Sequence, residues 1–266
     1  MLRRTVFALM LIIVVVTPVA MGHFHVLVPQ EYEQWSARRG RPVACRLVWG
    51  HGYEHIWMDA TRPAELTAIA PDGQRVDLLA NLKPTKVRAA DGKDYAAFEF
   101  AYTPAMRGDH TLALKAALLW DDKDEVFLQD YAKSVLHVQD KINWDCRAGH
   151  AFELVPLTRP YGLQRGHVMR MLVLHEGKPL AGCLVEFEKL QPTIPDASKL
   201  PGEEFITFEA RSDVNGIVAF GLHDEGWFAL TAIHETDTKI DRDGHTGPLV
   251  ERATFWIHVA PRTGIE

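Results

Sequence analysis

Residues 168–177 read VMRMLVLHEG, a short apolar run of strand-forming residues that stops at a Glu-Gly dipeptide. Such a dipeptide accepts the positive φ angles that a tight hairpin turn needs. Short apolar runs recur at 112–114 and 253–259, and similar turn dipeptides stand at 72–73, 91–92, 215–216 and 243–244. No long segment after residue 22 keeps the 3.6-residue apolar period of a helix. The sequence therefore predicts an all-β protein built from β-sandwiches and not an α/β protein.

The chain after residue 22 divides near residues 140–147. Apolar, strand-like sequence stops just before this segment, and FELVP at 152–156 starts the next strand-like run. Each half has about 110 residues, the usual size of an immunoglobulin-like sandwich. We therefore expect one β-sandwich domain at 23–140, which carries the functional site, and a second at 147–260.

Residues 1–22 have the order of a secretory signal peptide. A positive start, MLRR, precedes an apolar run at 6–16, and small residues occupy Ala20 and Gly22, the positions that a signal peptidase reads. The apolar run is shorter than the roughly 20 residues of a membrane span, which leaves an uncleaved anchor as the lesser alternative. We expect a periplasmic protein that has no stable membrane insertion after cleavage.

The composition excludes several classes of function. The formal net charge is −6 over 266 residues and no basic stripe occurs, so we expect no nucleic-acid partner. Cys45, Cys146 and Cys183 are too widely spaced for a disulfide framework or a thiolate metal site, although one bridge with a leftover thiol stays open. Common catalytic motifs are absent, and we expect no enzyme activity. The 13 histidines are the unusual feature, since imidazole is the commonest protein ligand of transition metals.

Cleavage after Gly22 would place His23-Phe24-His25 at the new N-terminus. A free α-amino group titrates near neutrality and can bind a metal once its proton is lost. His23 could then chelate through its amine and its own imidazole, an arrangement called a histidine brace. Alternatively, His25 could close a square-planar set with the amine and two deprotonated amides, a geometry suited to Cu(II) and Ni(II). Both modes use the same amine, so they exclude each other.

A second group of candidate ligands follows Gly50, in the sequence HGYEH at 51–55. His51 and His55 would be roughly 13 Å apart in a straight strand, but a loop or a single turn between them could bring them together. Glu54 could supply an oxygen ligand or orient an imidazole. The alternative is that one histidine belongs to the core and the other to a solvated loop.

The remaining histidines give weaker signals. His234 ends an apolar run and is kept as a weak candidate for a supporting contact, while the charged segment that follows it is typical of a solvated hairpin. The others are scattered, and His175 beside the turn at 176–177 is expected to have no part in metal binding.

Several longer motifs resemble those of a known family. They are HF at 23–24 with VP at 28–29, Gly50-His51 followed by Glu54, ELVPLTRPYGL at 153–163, GKPLAG at 177–182, DVNG at 213–216 and GWFAL at 226–230. The chain resembles exported accessory proteins found with bacterial nickel and cobalt transporters of the energy-coupling-factor type. The resemblance implies two β-sandwiches, the second similar to transthyretin-like or carboxypeptidase-regulatory modules, and a ligand role for His23 and His51. Gly52 stands where that family commonly has a proline.

These observations predict a periplasmic protein that binds nickel or cobalt and passes it to the membrane component of a nickel/cobalt transporter. The expected ligands are His23, His25, His51, Glu54 and His55. Two alternatives remain open: a structural or adhesive envelope protein that binds a protein or glycan, and a copper-binding histidine-brace protein. Copper binds nitrogen ligands more tightly than nickel or cobalt does, so affinity alone does not identify the metal.

Overall fold

The computed structural model describes residues 23–30 and 36–261, so the predicted signal peptide lies outside the described residues. Within these ranges the chain forms β-strands and three short 3-10 helices, at Leu79–Asn81, Ala197–Lys199 and Glu203–Phe205. The strands in chain order are β1 (Phe24–Pro29), β2 (Val43–His51), β3 (Ile56–Met58), β4 (Glu65–Ile69), β5 (Arg75–Asp77), β6 (Lys83–Arg88), β7 (Asp94–Tyr102), β8 (Gly108–Lys115), β9 (Leu119–Asp121), β10 (Val126–Val138), β11 (Phe152–Pro156), β12 (Leu163–Gln164), β13 (Val168–His175), β14 (Lys178–Pro179), β15 (Leu184–Leu190), β16 (Thr207–Arg211), β17 (Ile217–Gly221), β18 (Gly226–Arg242) and β19 (His245–Ala260). The all-β prediction is confirmed.

The strands form three sheets. A five-stranded sheet has the order β1-β2-β7-β6, with β3 paired to β2, and a four-stranded sheet has the order β11-β13-β14, with β17 paired to β13. A ten-stranded sheet has the order β16-β15-β18-β19-β10-β8-β4-β5, with β9 on β10 and β12 on β19. All the turn glycines predicted from the sequence have positive φ angles, as tight turns require.

The ten-stranded sheet runs across the boundary predicted at 140–147. Strand β10 of the first half pairs in parallel with β19 of the second, from Phe127↔Leu249 to Ser134↔Trp256. The two halves therefore share one sheet. The division into domains at 23–140 and 147–260 stays a prediction.

Two apolar cores lie on opposite faces of the ten-stranded sheet. Side chains alternate between the faces of a strand, and β18 shows the consequence. Its Trp227 and Ala229 belong to the core shared with the five-stranded sheet. Phe228 and Leu230 belong to the core shared with the four-stranded sheet. The protein is thus built in three layers, and the middle layer is buried on both faces, which explains why its strands carry apolar residues at consecutive positions.

Two further expectations can be compared with the structure. All three cysteines are free, and Cys45 and Cys183 are buried in the cores, so the disulfide that the sequence left open does not form. Among the residues that the structure describes, no helix is long and apolar enough to span a membrane.

Candidate metal centre

The sequence Gly50-His51-Gly52 makes the sharp turn that leaves β2. Gly50 has a φ of 142°, and a Cβ added there would lie 2.3 Å from the carbonyl oxygen of Ile56. Only glycine fits this approach, because a side chain would separate the two strands. The result is a tight hairpin in which His51 pairs with Ile56 and residues 52–55 form the connecting loop.

This hairpin loop packs against strand β15 of the middle sheet. The backbone N–H of Gln191 donates to the carbonyl oxygen of Gly52 at 3.1 Å. The N–H of Tyr53 donates to Oε1 of Glu188 at 3.2 Å. A Cβ on Gly52 would lie 2.9 Å from Cδ1 of Leu190, so the loop and the strand are in close contact. Residues far apart in sequence therefore meet at this hairpin.

Three side chains at this junction can approach one cation. His51, Glu54 and Glu188 each offer a ligand atom, and these atoms lie within 4.8 Å of one another. We call this group the His51 cluster. Two ligands of one ion lie at most about 4.4 Å apart when the metal–ligand bonds are about 2.2 Å long. Small side-chain movements would thus bring all three atoms into one coordination sphere.

His23 lies beside this cluster. Its ring centroid is 4.4 Å from that of His51, with the two rings inclined at 67°. The Trp49 ring lies 6.0 Å away on another side. Within residues 23–30 and 36–261, the buried Nδ1 atom of His23 has no hydrogen-bond partner. The structure therefore brings together the two histidines that the resemblance singled out.

Both histidines are neutral at neutral pH. Burial lowers the pKa of His23 to about 4, and the neighbouring His51 and the positive charge of Arg252 contribute in the same direction. Burial also lowers the pKa of His51 to about 4, again helped by Arg252. A neutral imidazole has a free lone pair, which is the form that binds a metal ion.

The carboxylates of the His51 cluster are held in an unfavourable environment. Burial raises the pKa of Glu188 well above its ordinary value, and the nearby Glu54 adds to the effect. Burial also raises the pKa of Glu54. Oε2 of Glu54 is buried and finds no hydrogen-bond partner in the described part of the chain. Thr207 donates to Oε2 of Glu188 at 3.0 Å, but no cationic side chain contacts either carboxyl group among the ion pairs of the described residues. A bound cation would compensate both charges.

Glu186 adds a third buried carboxyl group on the same face of β15. The side chain is fully buried, and neither of its oxygens has a hydrogen-bond partner among the described residues. Burial raises its pKa to about 7, Glu209 acts in the same direction, and Arg252 opposes them. The sequence reasoning missed both Glu186 and Glu188. The signal was the alternation Val185-Glu186-Phe187-Glu188, which also fits a strand with one solvated face.

His25 does not join the His51 cluster. Its Nδ1 lies 3.0 Å from Oδ2 of Asp130, whose carboxylate also accepts two hydrogen bonds of 2.7 Å from Arg252. The His25 ring stacks on Trp49 at 5.9 Å, and Trp256 donates to its backbone carbonyl at 2.8 Å. His25 is therefore fixed inside the core. A square-planar site on its amide would also have to break the pairing of β1 with β2.

His55 and His234 also lie apart from the cluster. His55 has a φ of 57°, and its Nε2 is hydrogen-bonded to the carbonyl oxygen of Gln191 at 2.8 Å. Its ring packs against Trp57, with centroids 5.2 Å apart, so the residue ties the loop to the segment after β15. His234 lies on the opposite face of the middle sheet, where it is partly buried beside Phe152 and His175. Of the five predicted ligands, the structure thus groups His23, His51 and Glu54 and adds Glu188.

Comparison with solved structures gives distant likenesses only. PorU from Porphyromonas gingivalis, in its dimeric latent form, is 11% identical, and the match covers 89% of this chain and 20% of PorU with a TM-score of 0.24. The D0-D1 domain of intimin is 12% identical over 85% of this chain and 96% of that one, with a TM-score of 0.22. The fibronectin(III)-like modules of Clostridium thermocellum CbhA are 9% identical over 91% and 98%, with a TM-score of 0.23. The chain spans only a fifth of PorU, and at these TM-scores the likenesses carry no argument about function.

No curated protein matches the sequence. A family model described as a domain of unknown function (DUF4198) matches residues 20–236, which is most of the chain and includes every residue of the His51 cluster as well as His23. The chain therefore belongs to the DUF4198 family.

Proposed function

We propose that this protein binds a divalent transition-metal ion, nickel or cobalt, in the periplasm and passes it to the membrane component of a nickel/cobalt transporter. The observation that carries the proposal is the grouping of the ligand atoms of His51, Glu54 and Glu188 within 4.8 Å, next to the neutral His23. Two imidazole nitrogens and two carboxylate oxygens would hold the ion.

The donor set supports a borderline divalent ion. Imidazole suits nickel, copper, iron and zinc, and carboxylates suit harder cations. The described cluster contains no thiolate, and burial raises the pKa of Cys45 in the same core to about 12, which keeps it protonated. The set therefore favours a divalent ion over Cu(I), which prefers soft sulfur ligands.

Processing after Gly22 would add one more ligand. A free amine on His23 would chelate together with the imidazole of the same residue and form a histidine brace next to the cluster. This expectation depends on a cleavage that lies outside the described residues.

Charge explains why the site would favour an ion. Two ionised carboxylates and two neutral imidazoles carry a total charge of −2, which a divalent ion cancels. His51 and Glu54 are only half-buried, so an ion can enter from solvent and leave again, as a carrier requires. Calcium would find too few oxygen ligands here, because it takes six to eight.

Titration calorimetry of the processed protein with nickel, cobalt and copper tests the proposal. We expect binding to this site to weaken at least about tenfold in Glu188→Gln and in His51→Ala, since each change removes one ligand. The exposed His167 is the matched control, and His167→Ala should bind as tightly as the native protein. Equal affinity in Glu188→Gln and the native protein would remove the structural basis of the proposal. A native protein that binds none of the three metals would favour the structural or adhesive alternative.

A further inference from the structure

A second group of metal-binding side chains lies on the opposite face of the middle sheet. His234 on β18 and Glu251 on β19 are direct cross-strand partners. His175 ends β13 in the four-stranded sheet that covers this face. Its Nε2 lies 3.0 Å from Oε2 of Glu251, and its ring centroid is 4.5 Å from that of His234. We call these three residues the His175 cluster.

The surrounding residues hold this cluster in place. Phe152 is fully buried and packs against both imidazoles, with ring centroids 6.1 Å from His175 and 5.8 Å from His234. Tyr131 donates to Oε1 of Glu251 at 3.4 Å, which leaves Oε2 directed at His175. Three side chains from three strands therefore lie next to one another between neighbours that contact them on several sides.

The electrostatic surroundings favour a cation. Burial lowers the pKa of His234, and the nearby His175 acts in the same direction. The other charged groups that act on His234 are the acidic Glu251 and Asp237. Glu251 is itself only 5% exposed, and an ion would share its charge with two nitrogen donors.

We propose that His175, His234 and Glu251 form a second binding site for a divalent transition-metal ion, which reverses the expectation from the sequence that His175 has no part in metal binding. Two imidazoles and one carboxylate are a common set for iron, cobalt, nickel and zinc, and they leave coordination positions open for water. The ion would replace the direct contact between Nε2 of His175 and Oε2 of Glu251. The side chain of His175 is 30% exposed, so solvent reaches the site.

This second site is looser than the first. Among the described residues, the His51 cluster is the group of three whose ligand atoms all lie within 4.8 Å. At least one side chain of the His175 cluster must rotate before all three ligands meet one ion. We therefore expect weaker binding here than at the His51 cluster, and two classes of site in one titration.

The test is a nickel titration of the full processed chain, with the number of ions bound as the readout. We expect two ions per chain in the native protein and one in His234→Ala. The matched control is His245→Ala, which changes an exposed histidine on the same β18–β19 hairpin and should leave two ions bound. If His234→Ala still binds two ions, or if the native protein binds only one and loses it in His51→Ala, the second site does not exist.

A second measurement keeps the result independent of folding defects. In His51→Ala, which retains the His175 cluster, paramagnetic Ni(II) or Co(II) should broaden the ring signals of His175 and His234 in NMR spectra. Unbroadened signals at saturating metal would overturn the proposal. The two proposals fail separately, because His51→Ala affects the first site and His234→Ala the second.

Discussion

The buried carboxyl group of Glu186 makes the stability of this protein depend on pH in a way that one substitution can isolate. Its pKa is about 7 in the folded protein against an ordinary value of 4.5. The folded protein therefore holds this proton more tightly than the unfolded chain does. The stability from this group is complete below about pH 4.5 and is lost as the pH rises through 7.

The size of the effect follows from the same two values. At about 1.36 kcal/mol for each pH unit, the difference corresponds to a loss of about 3 kcal/mol above pH 7. Glu186→Gln keeps the shape of the side chain and cannot ionise. The free energy of unfolding of this variant, relative to the native protein, should rise by about 2.5 kcal/mol between pH 5 and pH 8. An unpaired amide costs a similar amount at every pH, so it does not affect this difference.

Urea denaturation in the presence of a chelator, at several values between pH 5 and pH 8, measures this quantity. Histidines with a lowered pKa, such as His51, titrate near pH 4 and behave alike in both proteins, so the comparison isolates Glu186. The exposed Glu235 provides the control, and Glu235→Gln should follow the native pH profile. Parallel profiles for Glu186→Gln and the native protein would show that Glu186 is not a buried, uncompensated acid.

Three further predictions concern the first site. Adding one residue before His23 in the processed protein should weaken nickel binding although every histidine remains, because the added residue separates the free amine from the His23 imidazole. Calorimetry of the extended and native proteins measures this difference. Equal affinity of the two proteins would exclude the histidine brace. Gly50→Ala should lower the free energy of unfolding by at least about 2 kcal/mol, since the new Cβ would lie 2.3 Å from the Ile56 oxygen. Gly73→Ala is the control and should cost less, because its added Cβ meets nothing within 4 Å. Nickel affinity should rise with pH, because burial raises the pKa of Glu188 and its proton must leave before the carboxylate binds. Calorimetry at several pH values should show a shallower rise in Glu188→Gln. An equally steep rise in both proteins would place the titrating group elsewhere.

The fold class could be predicted from the sequence because the turn chemistry is local. Dipeptides such as Glu176-Gly177 adopt their conformation whatever the rest of the chain does, and Glu176 and Gly177 both have positive φ angles. The shared middle sheet could not be predicted in the same way. The parallel pairing of β10 with β19 joins segments more than 100 residues apart, and no local pattern marks it.

Only part of the candidate site could be predicted from the sequence, because the rest depends on which distant strands pack together. His23 and His51 stand next to signals that are visible in the sequence, namely the predicted cleavage position and the paired glycines. Glu188 becomes a candidate ligand only because the middle sheet is covered on both faces, which buries a residue that an open sheet would expose. His55 has a φ of 57° and its Nε2 contacts the carbonyl oxygen of Gln191, and sequence spacing does not show this placement.

Arg252 affects the protonation of both histidines at the first site. Its own charge is matched by Asp130 through two hydrogen bonds of 2.7 Å, yet it still disfavours protonation of His23 and His51. Protons are thus kept off the imidazoles, while Glu54 and Glu188 form no ion pair with a cationic side chain within residues 23–30 and 36–261. A proton can neutralise only one carboxylate and cannot use the free lone pairs of the imidazoles. A divalent ion would do both at once, and this difference supports the proposal that the region binds a metal ion.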